Sequence, residues 1–154
     1  MRHFRTPHEF LTVVGQSLGT SAPHIIEQDR IDRFAEATED RQWIHVDVER
    51  ARSGPFGSTV VHGYLTLSLL PVFLDEVFAV DGTEMVLNYG LDRVRFPAPA
   101  PVNSELVADV EVVSAEERGA DVQVVLRVTV RRTGADKPCC VADAVLRLVT
   151  DRTD

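Results

Sequence analysis

Asp40 and His45 are the residues of this 154-residue sequence whose types and spacing best suit proton transfer. A carboxylate and an imidazole in one cleft can share a water molecule and activate it. In a continuous helix, their spacing would place them about 140° apart around the axis. They converge only if the chain turns between them, and the loss of apolar periodicity after Thr38 allows such a turn. The alternative is structural: Asp40 caps a helix and His45 is a surface or satisfied histidine.

A second candidate is the glycine that ends Val60-Val61-His62-Gly63, directly before a long apolar run. Glycine at a helix start lets a ligand approach the backbone closely, and the first N–H groups of a helix have no acceptor within it. Because that end of a helix favours negative charge, a carbonyl oxygen that becomes an enolate fits beside the Gly63 N–H. The alternative is a plain turn glycine.

The remaining polar residues give weaker signals. Arg93 and Arg95 either meet the phosphates of a ligand or are solvated strand residues. Thr66 and Ser68 either contact a ligand from the helix or bond back to its carbonyls. No metal-ligand spacing and no glycine-rich phosphate loop is present in the sequence.

These residues must be positioned by the elements around them, of which an apolar helix over residues 64–78 is the clearest. Its apolar side chains cover nearly the whole circumference of a helical wheel, which predicts burial on most sides. Pro71 has no N–H and is expected to kink this helix. A shorter helix is predicted over residues 31–38, capped by Asp32, Gln28 or a neighbour.

The second half of the chain has the alternation of β-strands. Apolar and polar residues alternate from positions 106, 122 and 140, and turn residues separate the three runs, which predicts antiparallel hairpins. A fourth strand over residues 85–96 loses its alternation at Gly90, which indicates a bulge. The proline-rich residues 97–101 then form a rigid loop. The pattern indicates an α+β fold in which an antiparallel sheet wraps around one helix.

The composition is that of an ordinary globular domain. Apolar residues make up 44% and charged residues 26%, and the length suffices for a full core without disulfides or metal. The formal net charge of −8 disfavours a nucleic-acid partner. No signal peptide and no bilayer-spanning run is visible. The only cysteines, Cys139 and Cys140, are adjacent and offer no disulfide framework, so we expect a cytoplasmic protein without a membrane partner.

Residues 34–51, 54–57 and 62–63 together resemble the MaoC-like family of (R)-specific enoyl-CoA hydratases, also called hydratase 2. The family motif runs roughly Gly-Asp-x-Asn-Pro-x-His-x-Asp, and residues 39–47 here are Glu-Asp-Arg-Gln-Trp-Ile-His-Val-Asp. Residues 94–99, Val-Arg-Phe-Pro-Ala-Pro, also resemble the family's strand that ends in an arginine, an aromatic residue and prolines. The likeness runs from about residue 14 to residue 148.

The resemblance implies the hot-dog fold, an antiparallel sheet wrapped around a central buried helix, as one domain over residues 1–154. It implies catalytic roles for Asp40 and His45 and makes Gly63 the residue whose N–H binds the thioester oxygen. The implied reaction is reversible hydration of a trans-2-enoyl thioester, of coenzyme A or acyl carrier protein, to the (R)-3-hydroxyacyl thioester without a cofactor. We expect a homodimer, because a lone hot-dog sheet leaves an edge strand exposed.

Three residues depart from the family motif: Glu39, Gln42 and Trp43 replace the usual Gly, Asn and Pro. Gln42 keeps an amide that can hydrogen-bond, and Trp43 adds bulk near the pocket. We predict substrate contacts by Gln42, Trp43, His62 and Arg95. Two rival functions stay open. One is a hot-dog acyl-CoA thioesterase, which would attack the carbonyl carbon, and the other is a non-catalytic acyl-binding subunit.

Overall fold

The computed structural model describes residues 1–151 of the chain. Its strands are β1 (Arg2–Phe4), β2 (Ser17–Thr20), β3 (His24–Ile26), β4 (Phe78–Val80), β5 (Thr83–Arg95), β6 (Ser104–Arg118), β7 (Asp121–Arg132) and β8 (Cys140–Thr150). Its α-helices are α1 (Gln28–Thr38), α2 (Trp43–Val46), α3 (Val48–Arg52), α4 (Gly63–Ser68) and α5 (Leu70–Val77), and Pro7–Thr12 form a 3₁₀ helix. The predicted α+β class is confirmed.

A six-stranded antiparallel sheet forms the frame of the molecule, in the order β2-β6-β7-β8-β5 with β3 also paired to β6. The hairpins predicted from the alternating residues are β6–β7 and β7–β8. Apolar residues on the inner face, such as Leu126 and Val128, are fully buried and pack in one cluster with Phe73 of α5. Successive side chains of a strand point to opposite faces, so the alternation of apolar and polar residues puts the apolar ones on the single face that packs against the helix.

The strand β5 lies at an edge of the sheet and pairs with β8. Its register shifts between Asn88 and Gly90, which confirms the predicted bulge, and it shifts again near each end of the strand. Most of its large apolar side chains are exposed, including Val86 and Leu91. The sheet therefore has an uncovered apolar edge at β5.

The predicted central helix is present from Gly63 to Val77 and is kinked near Pro71 as predicted: α4 and α5 meet at Leu69, which keeps a right-handed helical backbone. Pro71 cannot donate a hydrogen bond to the Leu67 carbonyl, and the Leu69 N–H bonds to the Thr66 carbonyl at 3.2 Å. The prediction that this helix is buried on most sides is only partly correct, since Tyr64 is 69% exposed. No helix within residues 1–151 is long and apolar enough to cross a membrane.

Helix α1 begins at Gln28, earlier than predicted, and its N-cap residue is Glu27, the neighbour of Gln28, rather than Gln28 or Asp32 itself. The helix ends at Thr38 because Glu39 takes a left-handed conformation with φ of 63°. Asp40 therefore lies in a loop while His45 lies in α2. The turn that the spacing of these two residues requires is present.

Replacing Glu39 with glycine is expected to stabilise the protein by up to about 1 kcal/mol. Glu39 stands where the family motif has glycine, and a left-handed backbone costs a residue with a Cβ about 1–2 kcal/mol, partly offset by the greater freedom of glycine in the unfolded chain. Glu36→Gly, in the exposed middle of α1, should instead destabilise by about 1 kcal/mol. Urea unfolding of both variants measures the change in the free energy of unfolding, which should rise for Glu39→Gly and fall for Glu36→Gly. A destabilised Glu39→Gly variant contradicts the prediction.

Candidate active site

His45 is held in α2 with a defined tautomer. Its ring is 7% exposed, and its Nδ1 lies 2.7 Å from the Val60 carbonyl oxygen. Because a carbonyl oxygen only accepts, Nδ1 carries the proton and Nε2 keeps a free lone pair. The Val60 N–H donates to the Ile44 carbonyl at 3.0 Å, so two hydrogen bonds fix α2 against Val60. The imidazole is thus prepared to accept a proton at Nε2.

The surroundings keep the imidazole of His45 neutral near pH 7. Burial lowers the pKa of His45 below its ordinary value of 6.5. The hydrogen bond to Val60 and the nearby charge of Asp40 act in the opposite direction, whereas His62 lowers the pKa further. Because a neutral histidine can take a proton and a charged one cannot, this favours a role as a base.

Asp40 brings a carboxylate to the same place. A carboxylate oxygen of Asp40 and ring nitrogens of His45 and His62 all lie within 4.8 Å of one another. One water molecule with two hydrogen bonds of about 2.8 Å spans up to about 5.6 Å, so it can bridge the carboxylate and an imidazole. The structure therefore brings together the two residues that the sequence selected for water activation.

His62 lies behind this pair and is 1% exposed. Its ring stacks on that of His45, with ring centroids 3.8 Å apart and an interplanar angle of 23°. Its Nε2 lies 3.0 Å from the backbone oxygen of Asp40. The lone pairs of imidazole lie in the ring plane, and two nearly parallel planes do not meet at a nearby point. The stacked histidines therefore do not fit joint coordination of one metal ion.

Gly63 is the first residue of α4, so its N–H has no acceptor within the helix. A Cβ at this position would lie 3.0 Å from Cγ of Phe96, which means that the aromatic ring rests directly on the glycine. Phe96 also contacts Tyr64 edge-on, with ring centroids 6.0 Å apart. A larger residue at this position would displace the Phe96 ring, whereas the backbone conformation of Gly63 does not demand glycine.

The two rings of this aromatic pair line different cavities. A cavity of about 540 Å³ is lined by Asp40 and by the mainly apolar set Phe34, Thr38, Tyr64, Leu67 and Ser68. Gly63 and Phe96 line a second cavity of about 250 Å³. Asp40 and Gly63 thus line two cavities whose walls are in contact through Tyr64 and Phe96.

Comparison with known proteins decides the family. The family model described as a MaoC-like domain matches residues 9–133 of this chain. The chain belongs to the MaoC-like family. It is 43% identical over 150 residues to the 3-hydroxyacyl-thioester dehydratase Z of Mycobacterium tuberculosis strain H37Rv, across 97% of this chain and 99% of that protein.

Solved structures confirm the hot-dog fold of this MaoC-like chain. It superimposes with a TM-score of 0.76 on the monoamine oxidase regulatory protein from Archaeoglobus fulgius, at 22% identity and 97% coverage of both chains. With an (R)-hydratase from A. caviae involved in PHA biosynthesis the TM-score is 0.68, at 25% identity, over 88% of this chain and 96% of that one. As a MaoC-like protein, the chain is a hydro-lyase, that is, a hydratase or dehydratase.

The predicted substrate contacts lie at different places around the MaoC-like motif. Gln42 is exposed at the N-cap of α2. Trp43 packs under the guanidinium of Arg50, 4.3 Å from the ring centroid, and against Gly54, where a Cβ would lie 3.0 Å from the indole. Arg95 is exposed at the end of β5 and donates to the Val94 carbonyl. Contact of Gln42, Trp43, His62 and Arg95 with a substrate stays a prediction.

Gln28 and Thr59 support the site and were missed from the sequence. The Gln28 side-chain amide donates to the His45 carbonyl at 2.8 Å, and its oxygen accepts from the Thr59 hydroxyl at 2.6 Å. Thr59 is 1% exposed and immediately precedes Val60, which holds the His45 ring. Nothing in their residue types or spacing signals this role, since the contacts join α1, α2 and the segment before α4.

Replacing Gly63 with alanine is expected to lower kcat by about 10- to 100-fold with little loss of stability. The new methyl group forces the Phe96 ring away, and displacements of about 1 Å in an active site can cost this much. Phe96 is 41% exposed, so the ring can move without opening the core. Gly90→Ala is the matched control, since a Cβ there meets nothing within 4 Å. Equal kcat values for the two variants in an enoyl-thioester hydration assay contradict this prediction.

Proposed function

We propose that this MaoC-like protein adds water reversibly to the double bond of trans-2-enoyl thioesters of coenzyme A or acyl carrier protein, giving (R)-3-hydroxyacyl thioesters. The observation that carries the proposal is the free Nε2 of a neutral, buried His45 next to the carboxylate of Asp40, a residue that lines a mainly apolar cavity. The relative at 43% identity is named a 3-hydroxyacyl-thioester dehydratase, which supports the same substrate class.

Water activation follows from the two side chains. Asp40 and His45 hold one water between them, remove one of its protons as its oxygen attacks C3, and return one proton to C2. Addition of OH to C3 and H to C2 balances the reaction, and dehydration runs the same steps in reverse. General acid–base catalysis of this kind contributes about 10²–10⁴-fold to rate.

Charge that develops on the thioester oxygen during attack at C3 requires a hydrogen-bond donor. The Gly63 N–H, unpaired within α4, is the donor we propose, and such groups commonly supply several kcal/mol of transition-state stabilisation. The acyl chain occupies the cavity lined by Phe34, Tyr64 and Leu67, and the thioester passes the Tyr64–Phe96 pair to reach Gly63. No cofactor is needed, because the thioester itself makes C2 acidic.

Hydration of crotonyl-CoA followed by chiral chromatography of the product tests the proposal. The (R)-3-hydroxyacyl thioester is expected, because water held by fixed side chains attacks one face of the double bond. The thiol released from butyryl-CoA is measured in parallel with a thiol reagent. The (S) product, or thiol release without hydration, rejects the proposal and in the second case favours a thioesterase.

The proposal also includes a homodimer formed through β5. This edge strand exposes Val86 and Leu91, and cavities of about 480 and 260 Å³ are lined by residues of both β5 and α5. Long apolar edges invite pairing with another chain, and a second copy would cover both the edge and the helix face that carries Val72.

Sedimentation at micromolar concentration is expected to give twice the mass of one chain. Val86→Glu combined with Leu91→Glu should yield monomers, because charged edge residues block strand pairing. Val14→Glu, equally exposed but outside this surface, is the control and should stay dimeric. A wild-type protein that sediments as a monomer contradicts the proposed dimer.

The proposal treats residues 1–154 as one domain acting in the cytoplasm. A single hydrophobic cluster joins the helices to the sheet within the described part of the chain, which supports one cooperative unit. Cys139 and Cys140 are free and buried, and burial raises their thiol pKa values to about 11 and about 12, which suits stable thiols in a reducing compartment. A single unfolding transition by calorimetry and recovery in a cytosolic fraction are the expected results.

A further inference from the structure

His62 contacts both members of the proposed acid–base pair although it is almost fully buried. Its Nε2 lies 3.0 Å from the Asp40 backbone oxygen, and its ring stacks 3.8 Å from the ring of His45. We propose that His62 is a positioning residue that fixes Asp40 and His45 relative to each other and to the neighbouring Gly63. This inference rests on the proposed function, and it assigns His62 a role through other residues rather than through the substrate.

The loop that carries Asp40 depends on this contact. Asp40 follows the left-handed Glu39, outside any helix, and its own N–H lies 3.5 Å from the Thr38 hydroxyl, too far for a strong hydrogen bond. Its side chain is exposed. Among the described residues, the hydrogen bond from His62 Nε2 to the Asp40 carbonyl is therefore the shortest one that the Asp40 backbone makes.

The tautomer of His62 agrees with this role. Because the Asp40 carbonyl only accepts, Nε2 carries the proton and Nδ1 presents a lone pair. Nδ1 is buried with no partner among the described residues, so a proton there would be a donor without an acceptor. The neighbouring Phe34 ring, with centroids 5.0 Å apart, encloses the imidazole on a further side. The packing and the bond to Asp40 hold the ring in one orientation.

His62 also places the proposed oxyanion donor. It is the N-cap residue of α4, and its carbonyl accepts the Thr66 N–H at 3.1 Å and the Thr66 hydroxyl at 3.3 Å. The peptide that these bonds hold at the start of α4 is the one that carries the Gly63 N–H. One side chain and its own backbone thus link the carboxylate, the imidazole and the donor.

Three substitutions separate the contacts of His62. Glutamine carries its amide nitrogen three bonds from Cβ, like Nε2, so His62→Gln retains a donor for the Asp40 carbonyl. Asparagine carries its amide at the Nδ1 distance and cannot reach, and phenylalanine keeps a flat ring without a donor. We expect His62→Asn and His62→Phe to lower kcat by about 10- to 100-fold with KM changed less than about threefold, and His62→Gln to recover most of the kcat loss.

The recovery of kcat in His62→Gln is a readout that a purely structural residue would not give. Glutamine and asparagine both replace the buried ring by an amide, and they differ in whether that amide reaches the Asp40 carbonyl. Equal kcat losses in the Gln and Asn variants overturn the inference.

The tautomer of His62 keeps this inference separate from the proposed reaction. If the wild-type protein does not hydrate enoyl thioesters, the proposed function fails, yet ¹⁵N shifts of the wild-type rings at neutral pH still decide whether His62 donates to the Asp40 carbonyl. The Nε2–H tautomer of His62 supports the inference and the Nδ1–H tautomer overturns it, also where a variant does not fold.

Discussion

Replacing Asp40 with asparagine is expected to lower kcat for enoyl-thioester hydration by about 10²–10⁴-fold. Asparagine keeps the shape of the side chain but cannot accept or return a proton. Asp40 is exposed and lies outside the helices, so the thermal midpoint of unfolding should stay within a few degrees of wild type. KM should change far less than kcat, because most of the ligand contacts other atoms.

Asp47→Asn is the matched control for Asp40→Asn. Asp47 is also exposed and lies in the same motif, but its carboxylate caps α3 by accepting the Arg50 N–H at 3.0 Å, a function that asparagine retains. Its kcat should remain close to wild type. If Asp40→Asn turns over as fast as Asp47→Asn, then Asp40 is not part of the catalytic pair.

Replacing His45 with asparagine should lower kcat by a similar factor of about 10²–10⁴. The asparagine amide lies at the Nδ1 distance and can still donate to the Val60 carbonyl, so α2 keeps its attachment while the titrating Nε2 is lost. The double variant with Asp40→Asn should be little slower than the slower single variant, because residues that act on one water as a unit are strongly non-additive. If the kcat losses of the two single variants instead multiply in the double variant, Asp40 and His45 act independently.

The pH dependence of kcat/KM in the wild type tests whether His45 takes part in the reaction. A protonated His45 cannot accept a proton, so kcat/KM should fall on the acid side. Burial lowers the pKa of His45, which places that fall below pH 6.5. The limb should disappear in His45→Asn and persist in the exposed-surface control His8→Asn. A wild-type limb above pH 6.5 would indicate that another group controls the rate.

Local sequence patterns determined the strands and the motif of this protein. The alternation from residues 106, 122 and 140 predicted β6, β7 and β8 because side chains on a strand point to opposite faces in turn, and burial of one face records the sheet directly in the sequence. Gly90 marked the bulge in β5 for a similar local reason. The order of residues 39–47 led to the MaoC-like family because those residue types and spacings are tied to its chemistry.

Pro71 marked the kink between α4 and α5 in the sequence, because proline removes one backbone hydrogen bond of a helix. Which side of these helices is covered was decided by tertiary structure. The sequence did not show that Tyr64 is exposed, because a helical wheel gives the positions of apolar residues around the axis but not the side that the rest of the protein covers.

The sequence by itself determined the class of fold, the family, and the selection of Asp40, His45 and Gly63 as candidates, because these follow from periodicity and from residue types within short segments. Only the tertiary structure decided that His62 stacks on His45 and holds the Asp40 carbonyl, and that Gln28 and Thr59 brace the same histidine. Those contacts join residues 17 to 31 positions apart. Their partners are chosen by three-dimensional packing, which no local pattern encodes.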